Sequence, residues 1–259
     1  MIRKPNFRLN WKYAIGEIVL IFIGISLAIA FQNWNDQRKK NKLEQEILGQ
    51  IYDDIKFNKT DVDGDYYRLT FGLESLLKIE SFIAQDLPYY DSMCFDFFWI
   101  QNEEYAFPLH GGYDNLTRAG LDLIKNDSIR EYIQAAYEYG YPRISKETTF
   151  YPDVNTFFSE YMQEHFTVNV DTSLVFERDT ELGTIRYPYQ SDLAGTDHLV
   201  HIGYVPNDWE KLKKDPQFKV MLRQSMAYRR NKLLQYDNVK LISDWLIQKL
   251  ENELGIKNE

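Results

Sequence analysis

The chain has 259 residues, of which 44% are hydrophobic and 27% are charged, so it is neither a disordered tail nor a polytopic membrane protein. The formal net charge is −9, but residues 43–259 contain 22 basic and 37 acidic side chains, a net charge of −15. An acidic body of this size argues against nucleic acid as a partner, because binding to phosphates requires a basic face. The single cysteine, Cys94, excludes a disulfide framework and a multi-cysteine metal site.

A nearly uncharged apolar stretch lies close to the N-terminus. Residues 13–31 contain one charged side chain, and as a helix they would span about 28 Å, close to the ~30 Å hydrocarbon core of a bilayer. Trp11 and Tyr13 at one end and Trp34 at the other are typical of the aromatic residues that anchor a helix at the two headgroup layers. We therefore predict a single transmembrane helix over residues 13–34.

A cleavable signal peptide is the alternative interpretation of the same stretch. Ala28-Ile29-Ala30 has the small-x-small pattern of a cleavage site. The apolar run nevertheless continues into Phe31 and ends at an interfacial tryptophan, and the next residues continue a helical pattern. These features favour a retained helix over cleavage after Ala30.

The distribution of basic residues bears on the orientation of this helix. The N-terminal segment, residues 1–12, carries four basic side chains, and residues 38–42 carry four more on the other side, so the positive-inside count is tied. A short basic N-terminus ahead of a first apolar helix is the usual arrangement of a signal anchor. We therefore expect a cytoplasmic N-terminus and a main domain outside the cytoplasm.

One face of the predicted membrane helix combines a carboxyl group with small residues. Glu17, Gly24 and Ala28 fall on the same stripe at 3.6 residues per turn. Gly24-x-x-x-Ala28 and Ser26-x-x-x-Ala30 are small-xxx-small patterns, which allow two helices to approach closely. An intramembrane carboxyl costs a few kcal/mol unless it is paired or reaches the headgroups. The face is therefore either a helix–helix interface in which Glu17 is hydrogen-bonded, or a lipid-facing stripe from which Glu17 reaches the headgroup layer.

Two strings of the sequence resemble a known family. YAIGEIVLIFIGISLAIAFQNWNDQRKK at 13–40 resembles the N-terminus of an uncharacterised bacterial family of single-pass membrane proteins, a domain of unknown function. GYDNLTRAGLDLIKNDSIREYI at 112–133 is similar to an internal motif of that family, in which Leu-Ile-x-Asn-x-x-Leu/Ile-Arg recurs. Phe31 departs from the pattern, where a smaller or aliphatic residue is usual. The resemblance covers about a fifth of the chain. It implies a mostly helical domain after the membrane helix, and it implies no activity.

The residues that follow the membrane segment have the pattern of an amphipathic helix. Leu43, Ile47, Ile51 and Ile55 recur at every fourth position, which predicts a juxtamembrane helix over residues 35–60. A break is expected immediately afterwards, because three aspartates and a glycine occur within five residues. From residue 61 to residue 259 we predict an acidic, mainly helical soluble domain.

The three aspartates of that break also match the start of a calcium loop. Asp61, Asp63 and Asp65 have the D-x-D-x-D spacing of an EF-hand, but glycine falls at position 4 and Gly72 occupies position 12, where a glutamate is needed. An acidic loop between two helices explains the pattern better than a calcium site.

The remaining elements follow in chain order. A helix is predicted over 67–84, two short helices over 113–139 with Asp127 as the N-cap of the second, and a helix over 144–165 that Pro152 interrupts. Residues 166–206 are expected to be irregular with two or three short strands. A final helix begins at Asp215-Pro216 and ends at Gly255. The predicted fold is thus mainly α, a transmembrane helix that continues into a helical bundle with a minor irregular or β segment.

Few residues suggest a chemical site. Asp197, His198 and His201 are weak candidates for a metal, because the two histidines would point to opposite faces of a strand and no third ligand is marked. Cys94 lies between apolar residues, as an inert buried thiol does. No nucleophile elbow and no phosphate-binding glycine motif occurs. The sequence therefore predicts no enzyme, no metal and no cofactor.

The expected function is that of a single-pass, membrane-anchored interaction or sensory module, acting as an oligomer or as an accessory subunit of a membrane complex. Its expected partners are the lipid bilayer and either a second copy of the chain or another membrane protein. Its expected location is the bacterial inner membrane, with the main domain in the periplasm. The alternative is a membrane-tethered hydrolase or ligand-binding protein with a pocket in the acidic domain.

Overall fold

A computed structural model describes residues 11–146, 152–171, 173–187, 189–191, 198–200 and 203–256. These residues are mainly α-helical, which confirms the predicted fold class. The α-helices are α1 (Trp11–Ala84), α2 (Met93–Trp99), α3 (Gly111–Ala119), α4 (Asp127–Gln134), α5 (Tyr141–Ile144), α6 (Asn155–His165), α7 (Trp209–Leu212) and α8 (Pro216–Leu254). A 3₁₀ turn, Leu121–Leu123, precedes α4, and a π-helical segment, Ala135–Gly140, joins α4 to α5.

The minor β segment lies where the sequence places it. Its strands pair as three two-stranded antiparallel ribbons. The pairs are β1 (Phe166–Val168) with β6 (Tyr204–Pro206), β2 (Phe176–Thr180) with β3 (Gly183–Tyr187), and β4 (Tyr189–Ser191) with β5 (His198–Val200). The β2–β3 ribbon covers a small aromatic cluster around Trp99, where the Phe176 ring centroid lies 5.4 Å from that of the indole.

The two longest helices, α1 and α8, run side by side in opposite directions. Residues that come later along α1 contact residues that come earlier along α8, which defines the antiparallel pairing. The pairs, in order along α1, are Tyr52 with Glu251, Lys59 with Asp244, Asp65 with Tyr236, and Glu80 with Arg223.

The core is built along this pair of helices as two apolar clusters. The first surrounds residues 47–69 of α1 and includes α4, the π-helical segment and the C-terminal half of α8. The second surrounds Leu76 and Ile79 of α1 and includes α2, α6, α7 and the N-terminal part of α8. Because each buried leucine or isoleucine contributes about 1.5–3 kcal/mol, these clusters supply most of the stabilisation of the domain.

The expected break at 61–65 is wrong, because α1 continues through it without interruption. Asp63 lies between two ammonium groups, 2.6 Å from Lys59 Nζ and 2.9 Å from Lys240 Nζ, and these hydrogen bonds hold its pKa below the ordinary value. Asp65 is buried against α8. Contacts with α8 therefore override the local preference of aspartate and glycine for a turn. The acidic loop between two helices does not exist, and α1 passes the predicted boundary at residue 60.

Both ends of α8 are confirmed, whereas the helix predicted over 144–165 begins only at Asn155. Asp215 caps α8 by accepting a 2.8 Å hydrogen bond from the backbone N–H of Gln217, and Gly255 ends the helix in the left-handed region at a φ of 68°. The N-cap of α4 is Asn126, whose side chain accepts from the Ile129 N–H at 3.3 Å, so the assignment to Asp127 was wrong by one residue. An amide oxygen at the preceding position reaches the free N–H groups equally well.

Helix α3 lies unusually close to α1 at Gly112. A Cβ atom at this position would come within 2.6 Å of the Ile51 backbone nitrogen and within 2.8 Å of its Cγ1. The Asp54 carboxylate accepts the Gly112 N–H at 2.7 Å, which holds the two backbones at this distance. The absence of a side chain at Gly112 is therefore what permits α3 to pack on α1.

We expect Gly112→Ala to lower the free energy of unfolding by about 1–3 kcal/mol, since the added methyl group meets backbone atoms that cannot move aside. Gly49→Ala is the matched control, because a Cβ at Gly49 would meet nothing within 4 Å. This control should gain about 0.5–1 kcal/mol from helix propensity alone. Urea unfolding of the full chain in detergent, followed by circular dichroism, compares the two variants. Equal effects at both positions would show that the close approach at Gly112 is absent.

Candidate functional site

The N-terminal part of α1 is apolar and entirely exposed. The most apolar 18-residue window of this helix has a mean hydropathy of 2.2, and none of it is buried within the protein. Large side chains such as Leu20, Phe22 and Phe31 stand free of any other element, with about two thirds or more of their surface exposed. By length and composition this is the one helix among the described residues that could cross a membrane, and a signal sequence near the N-terminus would meet the same criterion.

The predicted anchors and the predicted interface lie on this exposed part of α1. Trp11 and Trp34 are 71% and 58% exposed and lie about 35 Å apart along the helix. Tyr13 belongs to α1, but its side chain is not among those that the structure describes. Glu17 and Gly24 are exposed, and among the described residues nothing lies within 4 Å of a Cβ placed on Gly24. Ala28 is also exposed, so no part of the chain that the structure describes covers the stripe of Glu17, Gly24 and Ala28.

Helix α1 enters the folded domain about half a turn beyond the second basic cluster. Glu44 is the first buried residue of the helix, and its carboxylate accepts hydrogen bonds at 2.8 Å from both the backbone N–H and the ammonium group of Lys125. About ten residues, or roughly 15 Å of helix, separate Trp34 from Glu44. The domain therefore begins close to the end of the exposed apolar segment, with no flexible linker between them.

A buried charge cluster lies between the two apolar clusters of the domain. Glu103, in the segment between α2 and α3, lies 2.6 Å from Lys232 Nζ and 3.5 Å from Arg229 Nη1, and all three side chains are almost completely buried. The other oxygen of Glu103 accepts the backbone N–H of Val154 at 3.1 Å. Burial lowers the pKa of Lys232, and the negative charge of Glu103 opposes that shift. The single carboxylate thus holds two cations inside the protein.

The pair of cations makes further contacts that fix the segment after α2. Arg229 Nη2 donates to the Ile100 carbonyl oxygen at 3.4 Å. Lys232 Nζ lies 3.6 Å from the ring centroid of Tyr105, a cation–π contact. A Cβ at Gly72 would lie 3.1 Å from Arg229 Cζ, so glycine at this position leaves room for the guanidinium. The cluster therefore joins α1, α8 and the segment between α2 and α3.

A second buried polar group lies one turn further along α8. Tyr236 Oη donates towards Asp65 Oδ2 at 3.2 Å and towards the Glu104 carbonyl oxygen at 3.3 Å. Arg68 lies 3.5 Å from Asp65 Oδ1 and 3.8 Å from the Glu104 carboxylate. Burial, together with the negative charges of Glu104 and Asp61, raises the pKa of Asp65 to about 7.

Sequence reasoning missed both polar groups, although a signal for them exists. Arg229, Lys232 and Tyr236 are spaced by three and four residues, and they interrupt the apolar inner stripe of α8 between Met226 and Leu246. Charged residues in the inward positions of a helix need buried partners. The partners themselves come from distant parts of the chain, so no local pattern identifies them.

Several surface grooves lie on the described part of the domain. One groove of about 460 Å³ runs between the π-helical segment and α8. Each tyrosine ring of the groove has one face in contact with another side chain: Tyr132 stacks on Trp245 at a centroid distance of 3.8 Å, and the Arg143 guanidinium lies 3.5 Å from the ring centroid of Tyr139. The groove therefore presents ring edges and amide groups, with no acid–base pair among the residues that line it.

The candidate metal ligands cannot be assembled from the described part of the chain. Asp197 and His201 lie outside the described residues, and His198 begins β5 with a side chain that also lies outside them. Among the residues that the structure describes, no three histidine, cysteine or acidic side chains are grouped as they would be around a metal ion. Cys94 is buried, and burial raises the pKa of its thiol to about 11, so it is a poor nucleophile.

Comparisons with known proteins found no match: no family model, no curated protein and no solved structure is similar to this chain. The function must therefore be argued from the arrangement of the molecule itself.

We expect Glu103→Gln to lower the free energy of unfolding by about 3 kcal/mol or more, since Arg229 and Lys232 would remain buried without the carboxylate that contacts both of them. Glu80→Gln is the matched control, because Glu80 pairs with Arg223 on the surface at 3.4 Å. Its effect should stay within about 0.5 kcal/mol. Urea unfolding of the full chain in detergent measures both variants. A loss at Glu103 no larger than that at Glu80 would contradict the assigned role of the cluster.

Proposed function

We propose that the chain is a single-pass inner-membrane protein in which α1 anchors a periplasmic, helical interaction or sensory domain. The observation that supports this proposal is the continuity of α1. One uninterrupted helix carries an exposed apolar segment at its N-terminal end and the central packing surface of the domain at its C-terminal end. A helix without a break transmits tilt and rotation between its two ends, whereas a flexible linker would not.

The two ends of the exposed segment agree with this assignment. Tryptophans lie at both ends, and basic residues follow the second one. The Arg38 guanidinium lies 5.9 Å from the ring centroid of Trp34. Residues 38–42 would meet anionic headgroups at this depth, and each such cation contributes about 1 kcal/mol to binding a negatively charged surface.

We further propose that the stripe of Glu17, Gly24 and Ala28 contacts a second membrane helix, either of another copy or of a partner protein. The folded domain covers none of this stripe. A carboxyl group at membrane depth is stabilised by a hydrogen bond from a neighbouring helix, and small residues allow that helix to come close. The module would then act as an oligomer or as an accessory subunit. The alternative of a tethered hydrolase or binding protein depends on Asp197, His198 and His201, and it stays a prediction.

The anchor proposal predicts that the membrane-bound protein keeps its N-terminus. Its mass should be that of the full chain, 30.8 kDa, and alkaline carbonate should not extract it from membranes. Intact-mass determination of the purified membrane fraction makes the measurement. A mass corresponding to loss of residues 1–30 would show that the segment is a cleaved signal peptide.

Protease added to intact spheroplasts should degrade the domain if it faces the periplasm, and should spare it if the orientation is reversed.

The interface proposal predicts that Gly24→Ile weakens association about tenfold or more in a membrane two-hybrid assay, because the larger side chain separates the helices. Glu17→Ala should weaken it as well, through loss of the interhelical hydrogen bond. Ser26→Ile is the matched control, since Ser26 lies about 200° around the helix from Gly24. Loss of association only in the control would move the interface to the opposite face. Unchanged association in all three variants would rule out an intramembrane interface.

A further inference from the structure

Asp65, Tyr236 and Glu104 meet in the middle of the α1–α8 pair, at a point where three separate parts of the chain come together. Asp65 belongs to α1, Tyr236 to α8 and Glu104 to the segment between α2 and α3. The tyrosine is fully buried and the aspartate is 4% exposed, so water contributes little to satisfying their polar atoms. The hydrogen bonds at this point must therefore be completed by protein groups, and Arg68 adds one by donating to Asp65 Oδ1 at 3.5 Å.

The hydrogen bonds drawn by Tyr236 cannot all be made while Asp65 is ionised. The hydroxyl oxygen lies 3.2 Å from Asp65 Oδ2 and 3.3 Å from the Glu104 carbonyl oxygen. A hydroxyl group has one proton to donate, and an ionised carboxylate and a carbonyl oxygen are both acceptors only. Either Asp65 Oδ2 or the Glu104 carbonyl oxygen is then left without the Tyr236 proton, while Arg68 donates only to the other carboxylate oxygen, Oδ1.

Adding one proton removes this conflict. A protonated Asp65 can donate its O–H to Tyr236 Oη, and the tyrosine is then free to donate its own O–H to the Glu104 carbonyl. The result is a chain of two hydrogen bonds in which every atom has a partner. The proton comes from the solvent and resides on the carboxyl group of Asp65, so no other bond changes.

The two negative charges that face Asp65 favour its protonated form, and the one positive charge, that of Arg68, opposes them. From α1, Asp61 adds a negative charge, and Arg68 adds a positive charge that is 43% exposed and shared with the Glu104 carboxylate. From the segment before α3, Glu104 adds a second negative charge, and α8 presents only the neutral Tyr236. Burial and the charges of Glu104 and Asp61 outweigh the effect of Arg68 and raise the pKa of Asp65 to about 7.

We propose that Asp65 is a proton-dependent latch, in which uptake of one proton completes a hydrogen-bond chain from α1 through Tyr236 of α8 to the backbone of Glu104, and loss of that proton breaks it. The latch tightens the contact between the long helix and α8 in acid and loosens it as the pH rises through neutrality. It goes beyond the proposed membrane role and does not depend on it, because all three groups lie within the folded domain.

The sign of the pH effect follows from the direction of the shift. In the unfolded chain Asp65 loses its proton near its ordinary pKa of 3.8, whereas in the folded protein it keeps that proton up to about pH 7. Unfolding between these values releases a proton, so the unfolding equilibrium constant rises up to about tenfold per pH unit through this one group. Above about pH 7 Asp65 is ionised in both the folded and the unfolded chain, so its effect on the unfolding equilibrium constant no longer changes with pH.

The test compares the full wild-type chain in detergent with Asp65→Asn, which has nearly the same shape and cannot ionise. Urea unfolding is measured from about pH 4.5 to about pH 8.5. The ratio of the two unfolding constants, wild type over variant, should rise by about tenfold for each pH unit between about pH 5 and 6.5, and should level off above about pH 7. A ratio that does not change with pH would overturn the proposal.

Asp63→Asn is the matched control, because Asp63 lies on the same helix and its pKa is held below the ordinary value by Lys59 and Lys240. The ratio of the wild-type unfolding constant to that of Asp63→Asn should not change with pH over the same range.

If Asp65→Asn does not fold, infrared difference spectra of the wild type carrying ¹³C-aspartate keep the proposal testable. A protonated aspartate band that disappears as the pH passes about 7 would support the latch, and its absence at about pH 5.5 would overturn it.

Discussion

The antiparallel contact between α1 and α8 is the interaction on which the rest of the structure depends. Helices α2 to α6 and the π-helical segment each pack on α1 or on α8. The two apolar clusters lie at successive levels along this pair. The contact also explains why α1 does not break at its run of aspartates. Asp63 is held by a lysine from each helix, and Asp65 is covered by Tyr236, so the helical conformation is stabilised by α8.

Between the two apolar clusters lies a layer of buried polar groups. Arg229, Lys232 and Glu103 occupy one level of this layer, and Asp65 and Tyr236 occupy the next. Ionic groups in such a position stabilise a protein less than apolar residues of the same volume would, because removing charge from water is costly. They bind the segment between α2 and α3 to both long helices at one defined register. Burial and neighbouring charges shift pKa values, so a carboxyl group in such a layer can change its charge near neutral pH.

The continuity of α1 connects the exposed apolar segment to this interior. The helix leaves the apolar segment at Trp34, is covered by the domain from Glu44 onward, and carries Asp65 about 30 Å further along. A change in the packing of α8 on α1 would therefore act on the same rigid element that we propose to lie in the membrane.

The sequence by itself determined the helical class, the exposed apolar segment, the β segment near 166–206 and the limits of α8, because each depends on a local pattern of hydrophobic residues, caps and glycines. It misplaced the end of the first helix at 61–65, where local turn preference and tertiary packing disagree. Only the tertiary structure decided which charges are buried together. Glu103 and Arg229 are 126 residues apart, and no periodicity within either segment indicates that one will neutralise the other.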